Sequence, residues 1–301
     1  MLTGLHFLLT YMCNSECDHC FIYSSPHAQG TFTLNQIRKL LDEATKIGKI
    51  EWIYFEGGEP FLFYPIMLEG IKMARNMGFQ VGVVTNAYFA TADEDIEIWL
   101  KPLCELGIAD LRISNDPYHY EDETENPAIR ARKVALKLNM PAEEINIEKP
   151  LVTTGVDEGQ KKGEPVIGGS TRFRGRSVEK LIADLPQRCW EDFAECPYED
   201  LESPKRAHLD PYGNVHLCQG LSMGNAWVKP LSEMVKNYDA GSHPVCGPLV
   251  RGGPALLARE YQVKHEDKYV NACHFCYIIR LKLLDMFPQY LIPKQIYGLE
   301  Q

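Results

Sequence analysis

The sequence lacks both a long uninterrupted apolar segment and an export signal. Among its 301 residues there is no run of about 20 apolar residues, the length that a helix needs to cross a bilayer. The chain passes from Met1 directly into the apolar segment Leu5–Met12, with no basic start and no small-residue cleavage site. We therefore expect a cytoplasmic protein without a membrane partner.

Positive charge is also scarce. The chain has 31 Lys and Arg residues against 41 Asp and Glu residues, which gives a net charge of −10. Binding to nucleic acid without regard to sequence needs a basic surface, so we expect no nucleic-acid partner. With 45% hydrophobic and 24% charged residues, the composition is that of an ordinary globular protein.

Cysteine, in contrast, is abundant, with ten residues. In a chain without an export signal, cysteines that gather in two tight groups predict metal binding rather than disulfides. The first group is Cys13, Cys17 and Cys20, in the spacing C-x3-C-x2-C directly after the predicted strand Leu5–Met12. No further cysteine follows until Cys104.

Three neighbouring thiolates are one ligand short of the usual set for an iron–sulfur cluster. Such clusters are normally held by four cysteines, so the spacing predicts a cluster with one iron left open to a substrate or cofactor. A structural zinc site would need a fourth ligand, for which His19 or His6 is available. Buried inert thiols are a third interpretation, against which the close spacing argues.

Strand-like and helix-like segments alternate through the first half of the chain. The predicted strands after Leu5–Met12 are Ile50–Glu56, Phe79–Thr85, Ala109–Ser114 and Glu144–Glu148. The predicted helices fall between Thr33 and Gly48, Pro65 and Met77, Asp93 and Leu106, and Asn126 and Leu138. This alternation predicts βα units, a parallel sheet and an α/β fold.

The length of one βα unit sets the predicted domain boundary. At about 30 residues a unit, six units end near residue 185. We therefore predict a barrel over residues 1–185 and a second domain over residues 186–301. The sixth unit is predicted as strand Pro165–Arg174 and helix Ser177–Leu185. It follows a charged, glycine-bounded loop, Gly155–Gly163, which we interpret as a mobile lid.

Polar or glycine-rich segments follow four consecutive predicted strands. After the cysteine loop these are Gly57-Gly58-Glu59-Pro60, Thr85-Asn86 and Ser114-Asn115-Asp116. Ligands of parallel α/β sheets bind at the carboxyl ends of the strands, where these segments would meet. Turn formation alone explains any one of them, but it does not explain the cysteines and the Gly-Gly-Glu-Pro segment in that order.

These motifs together resemble those of radical S-adenosylmethionine (radical SAM) enzymes, which share C-x3-C-x2-C with an aromatic residue, here His19, before the last cysteine. The resemblance implies a partial (βα)6 barrel. It also implies a [4Fe–4S] cluster on Cys13, Cys17 and Cys20, with S-adenosylmethionine on the open iron. Bound in this way, the cofactor yields a 5′-deoxyadenosyl radical.

The resemblance also implies residues that bind S-adenosylmethionine. They are His19, Gly57, Gly58, Glu59 and Pro60 beside the cysteine loop, and Asn86, Ser114 and Asp116 at the next strand ends. Ala87 stands where the family commonly has glycine. For Asn86, Ser114 and Asp116, turn formation is an equal alternative.

Arg172, Arg174 and Arg176 place three cations within five residues. Because a guanidinium binds carboxylates in a bidentate manner, one of them, for which we choose Arg174, is predicted to bind the cofactor carboxylate or an anionic substrate. A solvated turn is the alternative. His119 is a candidate acid or base, although a single histidine in a loop is more often a surface residue.

The last third of the chain contains the second group of cysteines. A hairpin is predicted to end on Cys218, and Cys273 and Cys276 form a C-x2-C pair at the start of the predicted helix Tyr277–Phe287. The segment resembles the SPASM and twitch extensions of radical SAM enzymes. That resemblance implies one auxiliary [4Fe–4S] cluster on Cys196, Cys218, Cys273 and Cys276, with Cys189 as an alternative to Cys196. Zinc with the same ligands is the other interpretation.

Cys246 is left over, in a segment rich in glycine and proline. Such a loop suits burial of an inert thiol poorly, and the arrangement resembles radical SAM epimerases of similar size in which a cysteine returns hydrogen to the substrate. We therefore predict Cys246 as a catalytic hydrogen donor. A replacement cluster ligand and a spare thiol are the alternatives.

The resemblance therefore predicts a radical SAM enzyme that abstracts hydrogen from an unactivated carbon. Epimerisation of a small molecule or sugar is favoured, because the first strand starts too close to Met1 for a leader-binding domain to precede it. Peptide cross-linking or dehydrogenation is the alternative. A one-electron donor such as flavodoxin or ferredoxin is the expected partner. A non-catalytic iron–sulfur or zinc protein is the alternative from another class.

Overall fold

The computed structural model describes residues 2–122, 124–154 and 165–299. The predicted lid, Gly155–Gly163, lies outside the described residues. The strands are β1 (Gly4–Thr10), β2 (Trp52–Gly57), β3 (Gln80–Thr85), β4 (Asp110–Ser114), β5 (Ala142–Ile145), β6 (Leu151–Thr153), β7 (Val166–Gly168), β8 (Arg188–Cys189), β9 (Arg206–Leu209), β10 (Asn214–Cys218), β11 (Leu221–Asn225) and β12 (Lys268–Tyr269).

Eight α-helices lie between and after these strands in the described part of the chain. They are α1 (Leu34–Ile47), α2 (Tyr64–Asn76), α3 (Asp93–Glu105), α4 (Pro127–Lys137), α5 (Ser177–Lys180), α6 (Leu231–Asn237), α7 (Cys246–Glu260) and α8 (Ala272–Lys282). Short 3-10 helices cover Pro60–Phe63, Trp190–Asp192 and Lys294–Tyr297. Within the described residues, no helix is both long and apolar enough to cross a membrane.

Eight strands form one sheet in the order β11-β10-β9-β1-β2-β3-β4-β5. β1 pairs in parallel with both β2 and β9, and the parallel pairing continues through β3, β4 and β5. The hairpin of β10 and β11 is antiparallel. Six parallel strands with intervening helices form an α/β fold consistent with a partial barrel, so the predicted fold class is confirmed.

The predicted sixth βα unit is wrong in its position. β7 pairs antiparallel with β6 in a separate two-stranded sheet, and α5 is a single turn. Gly169, with φ of 89°, adopts a left-handed conformation that ends the strand early. The sixth parallel strand is β9, on the other side of β1. β5 also begins two residues earlier than predicted.

The first strand shows how alternation creates two faces. Leu5, Phe7 and Leu9 are fully buried in the larger apolar cluster, and each contributes about 1.5–3 kcal/mol to the free energy of unfolding. His6 and Leu8 point to the other face and line a cavity. The barrel core thus holds β1 so that its opposite face is available to a ligand.

Local signals for the first helix are confirmed. The Thr33 side chain accepts the backbone N–H of Gln36 at 3.3 Å, and the Gln36 side chain accepts that of Thr33 at 2.9 Å, which completes the capping box. Gly48 ends the helix with a left-handed φ of 71°.

The chain after residue 186 extends the sheet and builds a second apolar cluster. Because β9 pairs with β1, the sheet continues past the predicted boundary, and the division into two domains stays a prediction. The second cluster joins α7 to α8 through residues such as Leu249, Phe275 and Ile279. α8 begins earlier than predicted, because Asn271 caps it by accepting the N–H of His274 at 2.9 Å.

Candidate functional site

The cysteine loop follows β1 at the carboxyl end of the sheet. Cys13 is buried, Cys17 and Cys20 are half-buried, and all three line a cavity of about 460 Å³. The backbone N–H of Cys20 donates to the Cys17 carbonyl at 3.0 Å, and that of Ser24 donates to the Cys20 sulfur at 3.3 Å. The structure therefore brings the three predicted metal ligands to one cavity.

Gly57 and Gly58 pack directly on this loop. Their positions leave no room for a side chain, since a Cβ at Gly57 would lie 2.5 Å from the Thr10 carbonyl oxygen and one at Gly58 would lie 2.1 Å from that of Met12. The backbone N–H of Gly58 donates to the Thr10 carbonyl at 2.7 Å, and the backbone N–H of Glu59 donates to the Met12 carbonyl at 2.9 Å. The two segments are therefore held together as one backbone unit.

The Glu59 side chain turns away from the cavity. Its carboxylate accepts hydrogen bonds from Phe61 N–H (3.0 Å), the Thr85 hydroxyl (2.8 Å) and Asn86 N–H (2.7 Å). Burial raises its pKa to about 7, although these bonds act in the opposite direction. Glu59 thus joins the end of β2 to the end of β3. Pro60 is buried at the start of the adjoining 3-10 helix.

Asn86 and Ser114 both line the cavity. The Asn86 amide donates to Asn14 at 2.8 Å and lies 3.7 Å from the Cys13 sulfur. Asn86 therefore supports the cysteine loop in addition to facing the cavity. Ala87 is buried with a φ of 58°, the left-handed conformation that glycine adopts without strain.

A group of aromatic and charged side chains surrounds Asp116. Its carboxylate accepts hydrogen bonds from His119 Nδ1 (2.8 Å) and from Tyr118 N–H (3.0 Å). His19 stacks on Tyr118 at 4.4 Å, and burial lowers its pKa to about 4. Burial opposes protonation of His119, but Asp116 and Cys17 outweigh it and raise the pKa to about 10. His119 is therefore part of the site and not a surface residue.

The three arginines differ in their contacts, although two of them share Glu199 as a partner. Arg176 donates to the carbonyls of Cys17 (2.8 Å) and Ser24 (2.7 Å), so it braces the cysteine loop. Arg172 and Arg174 line the cavity, and both approach Glu199, at 3.1 and 3.5 Å.

Arg174 also reaches the second group of cysteines, where its Nη1 lies 2.9 Å from the Cys218 sulfur. Burial lowers the pKa of Arg174, but the nearby thiols and Glu199 raise it by a larger amount. The net pKa is therefore above its usual value, and the side chain stays charged. The predicted contact with the cofactor carboxylate stays a prediction.

The four predicted auxiliary ligands lie together. Burial raises the pKa of the Cys273 thiol to about 12, and the nearby Cys218, Cys276 and Cys196 raise it further while Arg174 lowers it. Cys189 is not among the thiols that act on Cys273, and its sulfur lies 3.6 Å from the Glu191 carboxylate. The arrangement supports Cys196 over Cys189.

Cys246 does not line the cavity. It is fully buried at the start of α7, inside the second apolar cluster, and burial raises its pKa to about 12. The prediction of a loop here is wrong, because a helix begins at Cys246 and continues until Gly252 and Gly253 interrupt it. The role of Cys246 as a hydrogen donor stays a prediction.

Buried polar atoms without a protein partner gather at both groups of cysteines. Among the described residues they include His19 Nδ1 and Asp116 Oδ2 at the first group, and Arg174 Nε, Gln219 Oε1 and Arg280 Nε at the second. Each such atom costs about 1–3 kcal/mol when it stays unpaired. Burial raises the pKa of Cys13 to about 12, so its thiol is neutral unless a cation binds. Both sets of residues therefore fit a metal group and polar ligands.

The spacing of the cysteine sulfurs can be compared with that around a single zinc ion. Thiolates on one zinc ion lie about 3.8 Å apart, given a Zn–S distance near 2.3 Å and tetrahedral angles. In the described part of the chain, no three cysteine sulfurs lie within 4.8 Å of one another. This spacing is wider than that of thiolates around one zinc ion.

Sequence reasoning missed three residues of the cavity wall. They are His6, Glu56 and His208, which line the cavity, and both histidines pair with the Glu56 carboxylate. The sequence offers His6 as a zinc ligand for the cysteine loop, but in the structure its partner is Glu56. Alternation along β1 and β2 places His6 and Glu56 on the cavity face. His208 could not be found in this way, because the pairing of β9 with β1 has no local signal in the sequence.

Fold and site together define an α/β enzyme built around a three-cysteine loop. Residues 7–134 match the radical SAM superfamily. They form a radical SAM domain, and this domain and the enzyme relatives support a radical SAM enzyme.

Known proteins resemble the chain to different extents. YydG of Bacillus subtilis, named for peptide biosynthesis, is 22% identical over 84% of this chain and 72% of its own length. AlbA of the same organism, named for biosynthesis of the bacteriocin subtilosin, is 35% identical over 27% of this chain and 17% of its own length. The structure of BtrN with AdoMet and 2-DOIA has a TM-score of 0.49 and 15% identity, and the match covers 79% of this chain and 83% of BtrN.

Proposed function

We propose that this radical SAM enzyme holds two [4Fe–4S] clusters and modifies a peptide. Cys13, Cys17 and Cys20 would hold the first cluster. The second would be held by Cys196, Cys218, Cys273 and Cys276. When bound, the first cluster and S-adenosylmethionine supply a 5′-deoxyadenosyl radical that abstracts hydrogen from an unactivated carbon.

The chain's own residues would bind and orient the cofactor. The backbone of Gly57–Pro60 would hold the methionyl end, because it is fixed against the cysteine loop and lacks side chains at the contact. His19, Ser114 and Asp116, which also line the cavity, would contact the adenosine portion. The protein's main contribution is to position the substrate carbon and to exclude water.

The choice of a peptide over a sugar rests on the similarity to YydG. That relative is matched over 84% of this chain and is named for peptide biosynthesis. AlbA, named for bacteriocin biosynthesis, matches a shorter segment. We therefore prefer the peptide-modifying alternative to the small-molecule epimerase that the sequence first suggested.

The contact between Arg174 and Cys218 supports an oxidative outcome. Arg174 lines the cavity and donates to the Cys218 sulfur at 2.9 Å, so the second group of cysteines lies directly behind the cavity wall. A cluster there supplies a one-electron acceptor close to the substrate. Dehydrogenation or cross-linking needs such an acceptor, whereas epimerisation needs a hydrogen donor that reaches the cavity. The required external reductant would be a flavodoxin or ferredoxin.

The class is tested by anaerobic reconstitution with iron and sulfide, followed by dithionite and S-adenosylmethionine. We expect 5′-deoxyadenosine from the wild type and none from Cys17→Ala. Cys104→Ala, which changes a thiol outside both groups, should retain the activity. A fully reconstituted wild type that forms no 5′-deoxyadenosine would favour the non-catalytic alternative.

The reaction type is tested with Cys246→Ala and with a library of short synthetic peptides as substrates. An oxidised peptide is lighter by two hydrogen atoms and forms equally well with Cys246→Ala. An epimerised peptide keeps its mass in ordinary water and gains deuterium in heavy water. It should not form with Cys246→Ala. Modification of sugars but not of peptides would reject the proposed substrate class.

A further inference from the structure

Two histidines and a glutamate meet inside the barrel on three adjacent strands. His6 on β1 is opposite His208 on β9 in the strand register, and Glu56 lies near the end of β2. His6 Nδ1 is 3.1 Å from one carboxylate oxygen of Glu56, and His208 Nε2 is 3.1 Å from the other. The group is mostly buried, and all three residues line the same cavity as the cysteine loop.

The surroundings hold these side chains in place. The His6 ring stacks on Tyr54 at 4.6 Å, and the Tyr54 hydroxyl donates to Asp110 at 2.8 Å. His208 Nδ1 is buried without a protein partner. Arg206, two residues before His208, also lines the cavity, and its charge is partly offset by Glu199 at 3.6 Å.

The distances match those between ligands of one metal ion. Atoms that each lie about 2.1 Å from a cation are about 3 Å apart when the angle between them is near 90°. The three ligand atoms lie within 4.8 Å of one another, and each comes from a different side chain. Two imidazoles and one carboxylate are a donor set that suits manganese, iron, cobalt or zinc.

We propose that His6, Glu56 and His208 bind one divalent transition-metal cation on the cavity wall. Three protein ligands leave further coordination positions for oxygen or nitrogen donors of a molecule in the cavity. The site is distinct from both groups of cysteines, and the proposed function does not use it.

The test uses manganese, which binds thiolates weakly and has a strong electron paramagnetic resonance (EPR) signal. The holoenzyme with oxidised, EPR-silent clusters is titrated with Mn²⁺, and the free ion is measured. We expect one site in the wild type. Glu56→Gln, His6→Gln and His208→Gln should each weaken it by roughly tenfold or more, since one protein ligand is lost. His27→Gln, which removes an exposed histidine, should bind as the wild type does.

Pulsed EPR then identifies the ligands. Nitrogen coupling from coordinated imidazole should be present in the wild type and should decrease in His6→Gln and His208→Gln. Unchanged iron and sulfide contents and melting temperatures show that a variant is folded, and a variant that fails this criterion is replaced by Glu56→Asp or by the other histidine variant.

Two results would overturn the proposal. One is the lack of saturable Mn²⁺ binding in the wild type, which would leave Glu56 hydrogen-bonded by two imidazoles. The other is equal binding by the wild type and the folded variants. Because neither reductant nor S-adenosylmethionine is present, both results are independent of the proposed catalytic activity.

Discussion

Arg174 Nη1 lies 2.9 Å from the sulfur of Cys218, so a buried cation donates a hydrogen bond to a predicted cluster ligand. The same guanidinium lies over the ring of Phe21, 5.2 Å from its centroid, and Phe21 directly follows Cys20. Arg174 therefore lies between the two groups of cysteines and also lines the cavity.

Replacement of Arg174 by glutamine should lower the reduction potential of the second cluster by tens of millivolts. A hydrogen bond and a positive charge at a ligand sulfur stabilise the reduced state, and the variant loses the charge. An EPR-monitored redox titration measures the change. Arg172→Gln is the matched control, because Arg172 pairs with the same glutamate, Glu199, at 3.1 Å. Equal potentials for Arg174→Gln and the wild type would contradict the prediction.

Arg176→Lys should destabilise the cysteine loop even though the charge is retained. The two terminal nitrogens of the guanidinium donate to the carbonyls of Cys17 and Ser24 at 2.8 and 2.7 Å. A lysine ammonium has a single nitrogen and does not reproduce this two-pronged fork. Loss of one charge-assisted bond should lower the free energy of unfolding by about 1.5–3 kcal/mol. Urea unfolding measures this loss. Lys180→Arg, an exposed change nearby, should have no effect, and an equally stable Arg176→Lys would show that the fork is dispensable.

Gly58→Ala should prevent assembly of the first cluster. The new Cβ would lie 2.1 Å from the Met12 carbonyl oxygen, so the backbone of the cysteine loop must move. We expect roughly half of the wild-type iron content, because the second cluster should still form. In the control Gly168→Ala, the Cβ lies at an ordinary 3.6 Å from the Leu151 carbonyl oxygen. Full iron content in Gly58→Ala would refute the prediction.

Glu43 links α1 to α6 and should make stability depend on pH. Its carboxylate accepts hydrogen bonds from the Ser232 N–H (3.0 Å) and hydroxyl (2.6 Å), and it pairs with Lys46 at 2.6 Å. Burial opposes its ionisation, but these partners lower its pKa from 4.5 to about 2. The stabilisation is therefore complete above the unfolded pKa of 4.5 and is lost as the pH falls towards 2.

Glu43→Gln should accordingly cost about 2 kcal/mol at pH 7. In urea unfolding, the difference from the wild type should shrink once the pH falls below 4.5. Asp42→Asn removes the adjacent, exposed carboxylate and is the control. A difference that stays constant between pH 7 and the lowest pH at which the protein is folded would show that the Glu43 charge contributes nothing.

Several parts of the site could be predicted because their signals are local. The spacing of Cys13, Cys17 and Cys20 fixes how closely three thiols can approach. The alternation of strands and helices orders the strand ends, so that Gly57, Gly58, Asn86 and Ser114 reach one cavity. Neighbouring residues also decide where α1 begins and ends.

Other parts could not be predicted, because they depend on residues far apart in the chain. Arg176 reaches Cys17 across 159 positions, and His208 reaches Glu56 from a strand that pairs with β1 from the other side. The burial of Cys246 follows from the packing of α7 on α8 and not from its own glycine- and proline-rich segment.

The cysteine loop illustrates the division between sequence and tertiary structure. By itself the sequence determines that three thiolates form an incomplete ligand set, because eight consecutive residues carry all three. Only the tertiary structure decides what surrounds that set: the Gly57-Gly58 backbone, the Arg176 brace and the second group of cysteines behind Arg174. The physical reason is that pairing of distant strands and burial of charge are settled by packing of the whole chain.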